Sequence, residues 1–114
     1  MTQRPKLPFS KVRRIGSTVY LSGELGFEAD GSLPAGIAAQ TRNCLNRIKA
    51  TLEAEGLGLA NVVSCTCYLT DAADFAEFNA VYGSVFSDPL PVRTTVRTDL
   101  MIDAKVEITV IAEA

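Results

Sequence analysis

The apolar residues of this chain change their spacing several times, and this change constrains the possible folds more than any other feature. Residues 35–55 repeat apolar side chains at helical spacing, whereas residues 62–69 are β-branched and aromatic and alternate between two faces. Helical spacing returns in residues 75–85. Segments of both kinds in one short chain must cover each other's apolar sides. The sequence therefore predicts an α+β fold in two layers.

Two amphipathic helices are predicted. The first runs from about Ala35 to Glu55 and ends at Gly56, a residue type that commonly follows the last helical turn. Its predicted apolar face consists of Ile37, Thr41, Leu45, Ile48 and Leu52, and its predicted wet face consists of Arg42, Asn46, Lys49 and Glu53. Thr70 and Asp71 supply N-cap chemistry for the second helix. The apolar repeat of that helix consists of Phe75, Phe78, Tyr82 and Val85.

Five segments have the composition of strands, namely Lys11–Ile15, Thr18–Leu25, Val62–Leu69, Arg93–Thr98 and Lys105–Ala112. Gly16 and Ser17 form a hairpin-type turn between the first two. In the third strand, alternation predicts one face made of Val63, Cys65, Cys67 and Leu69. The predicted order of elements is ββαβαββ.

The predicted sheet has one face without a cover, because two helices of this length can cover only one side of five strands. We expect the other face to carry half-polar residues such as Thr66, Thr95 and Thr109, which suit packing between subunits better than open solvent. The sequence therefore predicts a symmetric oligomer. No internal repeat or change of composition divides the chain, so residues 1–114 are predicted to form one domain.

The composition excludes several classes of protein. Of the 114 residues, 47% are hydrophobic, which is enough for a core. The 13 acidic and 11 basic residues leave a net charge of −2, so nucleic acid is not the expected partner. No apolar run approaches the ~20 residues of a membrane helix, and the start of the chain, with Arg4 and Lys6, has no apolar signal segment. Together with an odd number of cysteines, this predicts a soluble protein of the reducing cytoplasm.

The cysteines are predicted to be core residues. Cys65 and Cys67 stand two apart on one strand, but the chain has no histidine and no second cysteine pair at zinc-finger spacing. One subunit therefore cannot complete a tetrahedral metal site or supply a histidine base to a cysteine nucleophile. We expect no metal, and we expect Cys44 to be buried as well. The glycines at 56 and 58 follow a helix rather than a strand, so they imply no nucleotide cofactor.

Arg93 and Glu107, in the last two predicted strands, are the candidates for chemistry. Arginine presents a planar fork of donors that fits a carboxylate, so a small acid is the expected guest. A glutamate beside that guest could accept a proton from water or orient it. Lone strand residues of these types more often form salt bridges or face solvent. If the glutamate lies beside the guest, anchor and base share one pocket. Arg97, on the same strand face as Arg93, is predicted to be a solvated edge charge.

Six short motifs occur in order along the chain, namely Ser22-Gly23, Ala39-Gln40-Thr41-Arg42, Phe78-Asn79-Ala80-Val81-Tyr82, Pro91-Val92-Arg93, Val106-Glu107-Ile108 and Ile111-Ala112. Together they resemble the RidA family, also called YjgF/YER057c/UK114, over nearly the whole chain from Phe9 to Ala112. The resemblance implies a chorismate-mutase-like fold, a homotrimer and small-molecule pockets between subunits. It also implies hydrolysis of reactive enamines and imines, such as 2-aminoacrylate, to 2-keto acids and ammonia without a cofactor.

The same resemblance implies roles for individual residues. Arg93 matches the family arginine that grips the substrate carboxylate, and Glu107 matches the acidic residue that holds the attacking water. Gly23 matches a position whose backbone lines the pocket. Phe9 stands where the best-known deaminases carry a tyrosine, and Thr95 stands where a cysteine is common, so both are expected in the substrate-binding set and both put substrate choice in question. Asn79 also matches a frequent family residue, but it fits a helix-surface hydrogen bond equally well.

Three functions are compatible with these residues. The first is a deaminase acting on small 2-imino acids, which uses Arg93 and Glu107 together. The second is a non-catalytic trimer that binds a small carboxylate through Arg93, an alternative favoured by Phe9 and Thr95 in place of more polar or reactive groups. The third is the ribonuclease activity attached to some members of the family. The acidic balance and the absence of histidine argue against it.

Overall fold

A computed structural model describes residues 6–114, so that Arg4 of the basic start lies outside the described residues. The strands are β1 (Val12–Ile15), β2 (Thr18–Leu21), β3 (Glu24–Leu25), β4 (Val62–Leu69), β5 (Val92–Arg97) and β6 (Val106–Glu113). The α-helices are α1 (Ile37–Ala54) and α2 (Phe75–Val85), and single 3-10 turns occupy Leu59–Asn61 and Ala72–Asp74. The α+β class and the predicted order are confirmed, except that the second predicted strand is interrupted at Ser22 and Gly23.

The strands form one mixed sheet with the order β1-β2-β6-β4-β5. β6 lies in the middle and pairs antiparallel with β2, β3 and β4, whereas the edge strand β5 runs parallel to β4. β2 and β3 pair with successive parts of β6, so the interruption at Gly23 lies directly against the central strand. The predicted hairpin is confirmed, with Gly16 at a positive φ of 60° in its turn.

Both helices contribute to a single core on one side of the sheet. The predicted apolar face of α1 is fully buried, and its predicted wet face is exposed. The buried strand residues of the core are Val19, Leu21, Val62, Cys65, Cys67, Leu69, Val106, Ile108, Val110 and Ala112. Within residues 6–114, neither helix has the length and apolar character that crossing a membrane requires.

Two side chains lie on different sides of the sheet from those predicted. Val63 is 46% exposed rather than buried, because a bulge between Val62 and Ser64 shifts the register of β4 against β6. Thr95 faces the helices rather than the open side, because the parallel register aligns it with the buried Cys67. Thr94 instead lies on the open face.

Gln40 links three parts of the chain beneath the helix layer. Its side chain is buried, its Nε2 donates to the Pro34 carbonyl over 2.9 Å, and its Oε1 accepts from the Lys105 backbone N–H over 2.8 Å. The backbone of α1 at Gln40 also touches Gly26, where an added β-carbon would overlap the Gln40 carbonyl oxygen. Glycine is therefore required where the chain passes under α1.

We expect Gly26→Ala to lower the free energy of unfolding by about 2 kcal/mol, because backbone atoms cannot move aside as a flexible side chain can. The matched variant is Gly83→Ala on α2, where a new β-carbon would meet nothing within 4 Å. This change should raise stability by about 0.5–1 kcal/mol through the higher helix propensity of alanine. Urea denaturation followed by circular dichroism, at one protein concentration, measures both. Equal effects of the two substitutions would contradict the close approach at Gly26.

Candidate active site

Arg93 lies over a cluster of aromatic rings that α2 presents to the edge of the sheet. It is aligned with Cys65 in the β4–β5 register and therefore points to the helix side. Its guanidinium carbon lies 4.8 Å from the ring centroid of Tyr82, 5.5 Å from that of Phe78 and 5.8 Å from that of Phe75. Residues 75, 78 and 82 recur at helical spacing, so one face of α2 supplies all three rings.

The Arg93 guanidinium has no carboxylate partner within residues 6–114. The salt bridges there join Arg14 to Glu55, Arg47 to Glu24, and Lys105 to Asp74. Contact with a ring face occupies the flat side of a guanidinium and leaves its N–H edge free. The aromatic rings therefore position the Arg93 guanidinium, and its N–H groups remain available to bind an anion.

One cleft is lined by this arginine, and a second lies farther along β5. The first, with a volume of about 390 Å³, is lined by Arg93 and Tyr82 together with Asn79, Gly83, Phe86, Leu90 and Pro91. The second, of about 200 Å³, contains Phe75, Thr95 and Arg97. The Asn79 Oδ1 and Thr95 Oγ1 atoms are buried without a hydrogen-bond partner among the described residues. This region therefore combines apolar walls with unused polar atoms, as small-molecule sites do.

The cysteines form part of the core beneath this region, as predicted. All three are buried free thiols. Burial raises the pKa of Cys67 to about 12, and burial also raises the pKa of Cys65 and Cys44. Buried, protonated thiols are poor nucleophiles. The arginine region therefore has no reactive cysteine, and Thr95 leaves it without the thiol that is common at that position in the RidA pattern.

Glu107 lies on the open face of the sheet, beside Gly23. It pairs with Tyr68 of β4 and with Leu25 of β3. A β-carbon at Gly23 would overlap Oε2 of Glu107 and lie 3.2 Å from Oγ1 of Thr109. Because Gly23 has no side chain, the Glu107 carboxylate fits against the backbone at the strand interruption.

The other predicted pocket residue, Phe9, lies on the Gly23 side of the molecule. The residue is 57% exposed. The next residue, Ser10, accepts a hydrogen bond from the Ser22 hydroxyl over 2.6 Å at its carbonyl, and the Ser22 backbone N–H donates to the Lys11 carbonyl. These bonds hold the segment that follows Phe9 against the strand interruption at Ser22 and Gly23.

Arg93 and Glu107 lie on opposite faces of the sheet, so the two side chains do not meet within one chain, and a pocket shared by them between subunits stays a prediction. Along β4, Cys65 is aligned with Arg93 and Tyr68 with Glu107. Residues an odd number of positions apart on a strand point to opposite sides. We call Arg93, Thr95 and Asn79 the arginine half-site, and Gly23 and Glu107 the glutamate half-site.

The comparison with known sequences identifies the family. A sequence profile described as Endoribonuclease L-PSP matches residues 1–114, and relatives matching most of the chain include RutC family proteins and a RidA. The chain belongs to the RidA family. A RutC family protein of Saccharolobus solfataricus is 39% identical over 113 residues, which cover 96% of this chain and 90% of that protein. RidA membership also agrees with the motifs from Phe9 to Ala112.

Two further comparisons concern structure and activity. The crystal structure of RidA from an Antarctic Psychrobacter superposes with a TM-score of 0.91 at 36% identity, covering 97% of this chain and 92% of that one. The predicted chorismate-mutase-like fold is thereby confirmed. The 2-iminobutanoate/2-iminopropanoate deaminase of Bos taurus is 38% identical over 88 residues, covering 75% of this chain and 64% of that protein. The family therefore includes imine deaminases.

The sequence interpretation assigned the aromatic repeat of α2 to the core and missed its contact with Arg93. Phe78 and Tyr82 are indeed buried, but Phe75 is 44% exposed. The sequence shows only that aromatic residues recur along one face of α2; it does not show that Phe75 is exposed and has a neighbour outside the core. Which strand supplies that neighbour depends on the sheet order.

We expect the native protein to resist thiol-reactive reagents at pH 8, because the thiolate is the reactive form and burial raises the pKa of these thiols. Reaction with a chromogenic disulfide should reveal no fast-reacting cysteine in buffer and 3 cysteines per chain in denaturant. The measurement is absorbance against time. A fast-reacting thiol in the folded protein would contradict the core placement.

Proposed function

We propose that this protein hydrolyses small 2-imino acids, and the enamines that tautomerise to them, to 2-keto acids and ammonia. The observation that carries the proposal is the free N–H edge of Arg93, a cation fixed over aromatic rings without a carboxylate partner in the described chain. A 2-imino acid offers such an arginine a carboxylate one bond away from the carbon that reacts. Membership of a family that includes imine deaminases supports the same chemistry.

The proposed catalytic unit is a homotrimer in which each pocket combines half-sites from two subunits. Opposite faces of one sheet cannot meet in one chain, but the arginine half-site of one subunit can meet the glutamate half-site of the next around a closed ring. The open face that would pack in such a ring exposes Ile15, Tyr20, Val92 and Val96. Apolar side chains in that position favour contact with another subunit over water.

In the proposed reaction, Arg93 binds the substrate carboxylate through two N–H groups and thereby fixes the imine carbon. Glu107 of the neighbouring subunit holds a water molecule, which attacks that carbon while the Glu107 carboxylate accepts a proton from the water. The protonated imine thereby becomes a carbinolamine. Glu107 then passes its proton to the amino nitrogen, the C–N bond breaks to release ammonia, and the hydroxyl group loses its proton to Glu107 as the carbonyl forms. Water supplies the oxygen of the keto acid, so the step requires no redox change and no cofactor.

A second candidate is a trimer that binds a small carboxylate without turning it over. It is favoured by Phe9, which supplies a ring without a hydroxyl near the glutamate half-site, and by Thr95, which supplies no thiol near Arg93. The ribonuclease activity in the description of the family fits this chain less well. The chain has no histidine and a net charge of −2, neither of which suits RNA cleavage.

We expect Arg93→Ala to lower kcat/KM by roughly a hundredfold, because a charge-assisted pair of hydrogen bonds to the substrate is lost. Imines are generated from several amino acids with an amino-acid oxidase, and the fall in semicarbazone formation measures hydrolysis. Arg97→Ala is the matched control, since it removes the same side chain from the same strand face four residues away, and it should keep most of the activity. If neither the wild type nor Arg93→Ala hydrolyses any of these imines, the result favours the second candidate, a trimer that binds a small carboxylate without turnover.

Glu107→Gln tests the role of the glutamate half-site in turnover separately from the role of Arg93 in binding. This substitution keeps the shape and removes the base, so kcat should fall by roughly a hundredfold or more while the affinity for a 2-keto acid is retained. Unchanged turnover would exclude Glu107 from the reaction.

Mixed trimers test whether each pocket uses two subunits. Arg93→Ala and Glu107→Gln subunits, each inactive alone, are combined by co-expression with two different tags. Random mixing should restore roughly a quarter of the wild-type activity, because each interface of a closed ring receives an intact arginine with probability one half and an intact glutamate with probability one half. Activity no higher than that of the two parents would contradict a pocket between subunits.

A further inference from the structure

The aromatic face of α2 determines how the arginine half-site works. Arg93 is on an edge strand and is exposed, a position in which a long side chain normally samples many rotamers. Its guanidinium nevertheless lies within contact distance of three ring faces, with Tyr82 nearest at 4.8 Å. An arginine that must bind a carboxylate through two bonds gains affinity when its plane is fixed beforehand.

The Tyr82 ring is itself rigid. It is 8% exposed and lies between Phe78 and Phe86, with centroid distances of 5.7 Å and 4.8 Å. Its hydroxyl is buried beside the Cys65 thiol and makes no ordinary hydrogen bond within residues 6–114. The ring, and not the hydroxyl, is therefore the part of Tyr82 that acts on Arg93.

We propose that Tyr82 is a positioning residue, a fixed aromatic surface that orients the Arg93 guanidinium for two-point binding of the substrate carboxylate. The inference rests on the proposed function only in taking Arg93 as the carboxylate anchor. It adds a requirement for a flat aromatic side chain at position 82. It also predicts that this exposed edge arginine is ordered without a salt bridge.

The same strand provides an internal control. Arg97 points to the same side as Arg93, four residues further along β5. Among the described residues, the arginines found over aromatic rings are Arg47 and Arg93. NMR spectroscopy of the arginine Nε–H groups measures this difference. If ring contact orders the guanidinium, the Arg93 Nε–H signal should be shifted upfield by ring currents and its relaxation should show a rigid group, whereas the Arg97 Nε–H group should be mobile. Equal mobility in the wild-type protein would overturn the proposal without any substitution.

The variants are compared by direct binding of 2-oxobutanoate, measured by calorimetry, so that turnover is not needed. Tyr82→Leu should raise Kd roughly three- to twenty-fold and make the Arg93 Nε–H group mobile, as expected for the loss of a cation–π contact. Tyr82→Phe keeps the ring and should restore both the wild-type Kd and the rigid Nε–H group. A merely structural role for Tyr82 would leave the mobility of Arg93 unchanged in a folded Tyr82→Leu protein.

Arg93→Ala separates failure of this inference from failure of the proposed function. Loss of 2-oxobutanoate binding in Arg93→Ala, with an unchanged Kd in folded Tyr82→Leu, overturns the role of Tyr82 and leaves the carboxylate anchor standing. An unchanged Kd in Arg93→Ala overturns both. If Tyr82→Leu does not fold, the comparison of Arg93 and Arg97 in the wild-type protein still decides the question.

Discussion

The pairing of β4 with both β5 and β6 is the interaction on which the rest of this structure depends. β6 lies in the centre of the sheet and runs antiparallel to β4, and β5 runs parallel to β4 on its other side. This register buries Cys65 and Cys67 beneath the helices and points Tyr68 to the open face. It therefore fixes Arg93 on one side and Glu107 on the other. A slip of one residue in either pairing would reverse this arrangement, because side chains alternate along a strand.

Each half-site is held by a different kind of contact, and both are unusual for charged residues. Arg93 rests on aromatic rings instead of a carboxylate, so its charge remains available. Glu107 lies against the backbone at Gly23, where any larger residue would displace it. Such contacts orient a charged group without neutralising it. Both charges therefore remain available for the substrate carboxylate and the water molecule of the proposed reaction.

Membership of the RidA family gives the fold and supports the proposed chemistry, whereas two departures of this chain from the family pattern, Phe9 and Thr95, concern the walls of the proposed pocket. Phe9 is exposed in the segment whose next residues are hydrogen-bonded to Ser22, and Thr95 places a hydroxyl where a thiol is common in the family pattern. Neither change touches the charge of Arg93 or Glu107. These positions are therefore expected to act on the choice of imine, which depends on the fit of the substrate side chain more than on the carboxylate that all such substrates share.

The sequence by itself determined the type and order of the elements, the buried face of α1 and the burial of the cysteines, and it singled out Arg93 and Glu107 as candidates for the proposed chemistry. These features are local: helix and strand periods differ, and the chemistry of Arg93 and Glu107 belongs to the side chains themselves. Only the tertiary structure decided the bulge that exposes Val63, the helix-facing position of Thr95, and the opposite faces of the two half-sites. Those depend on strand register, which is fixed by contacts between residues far apart in the chain and leaves no pattern within any one segment.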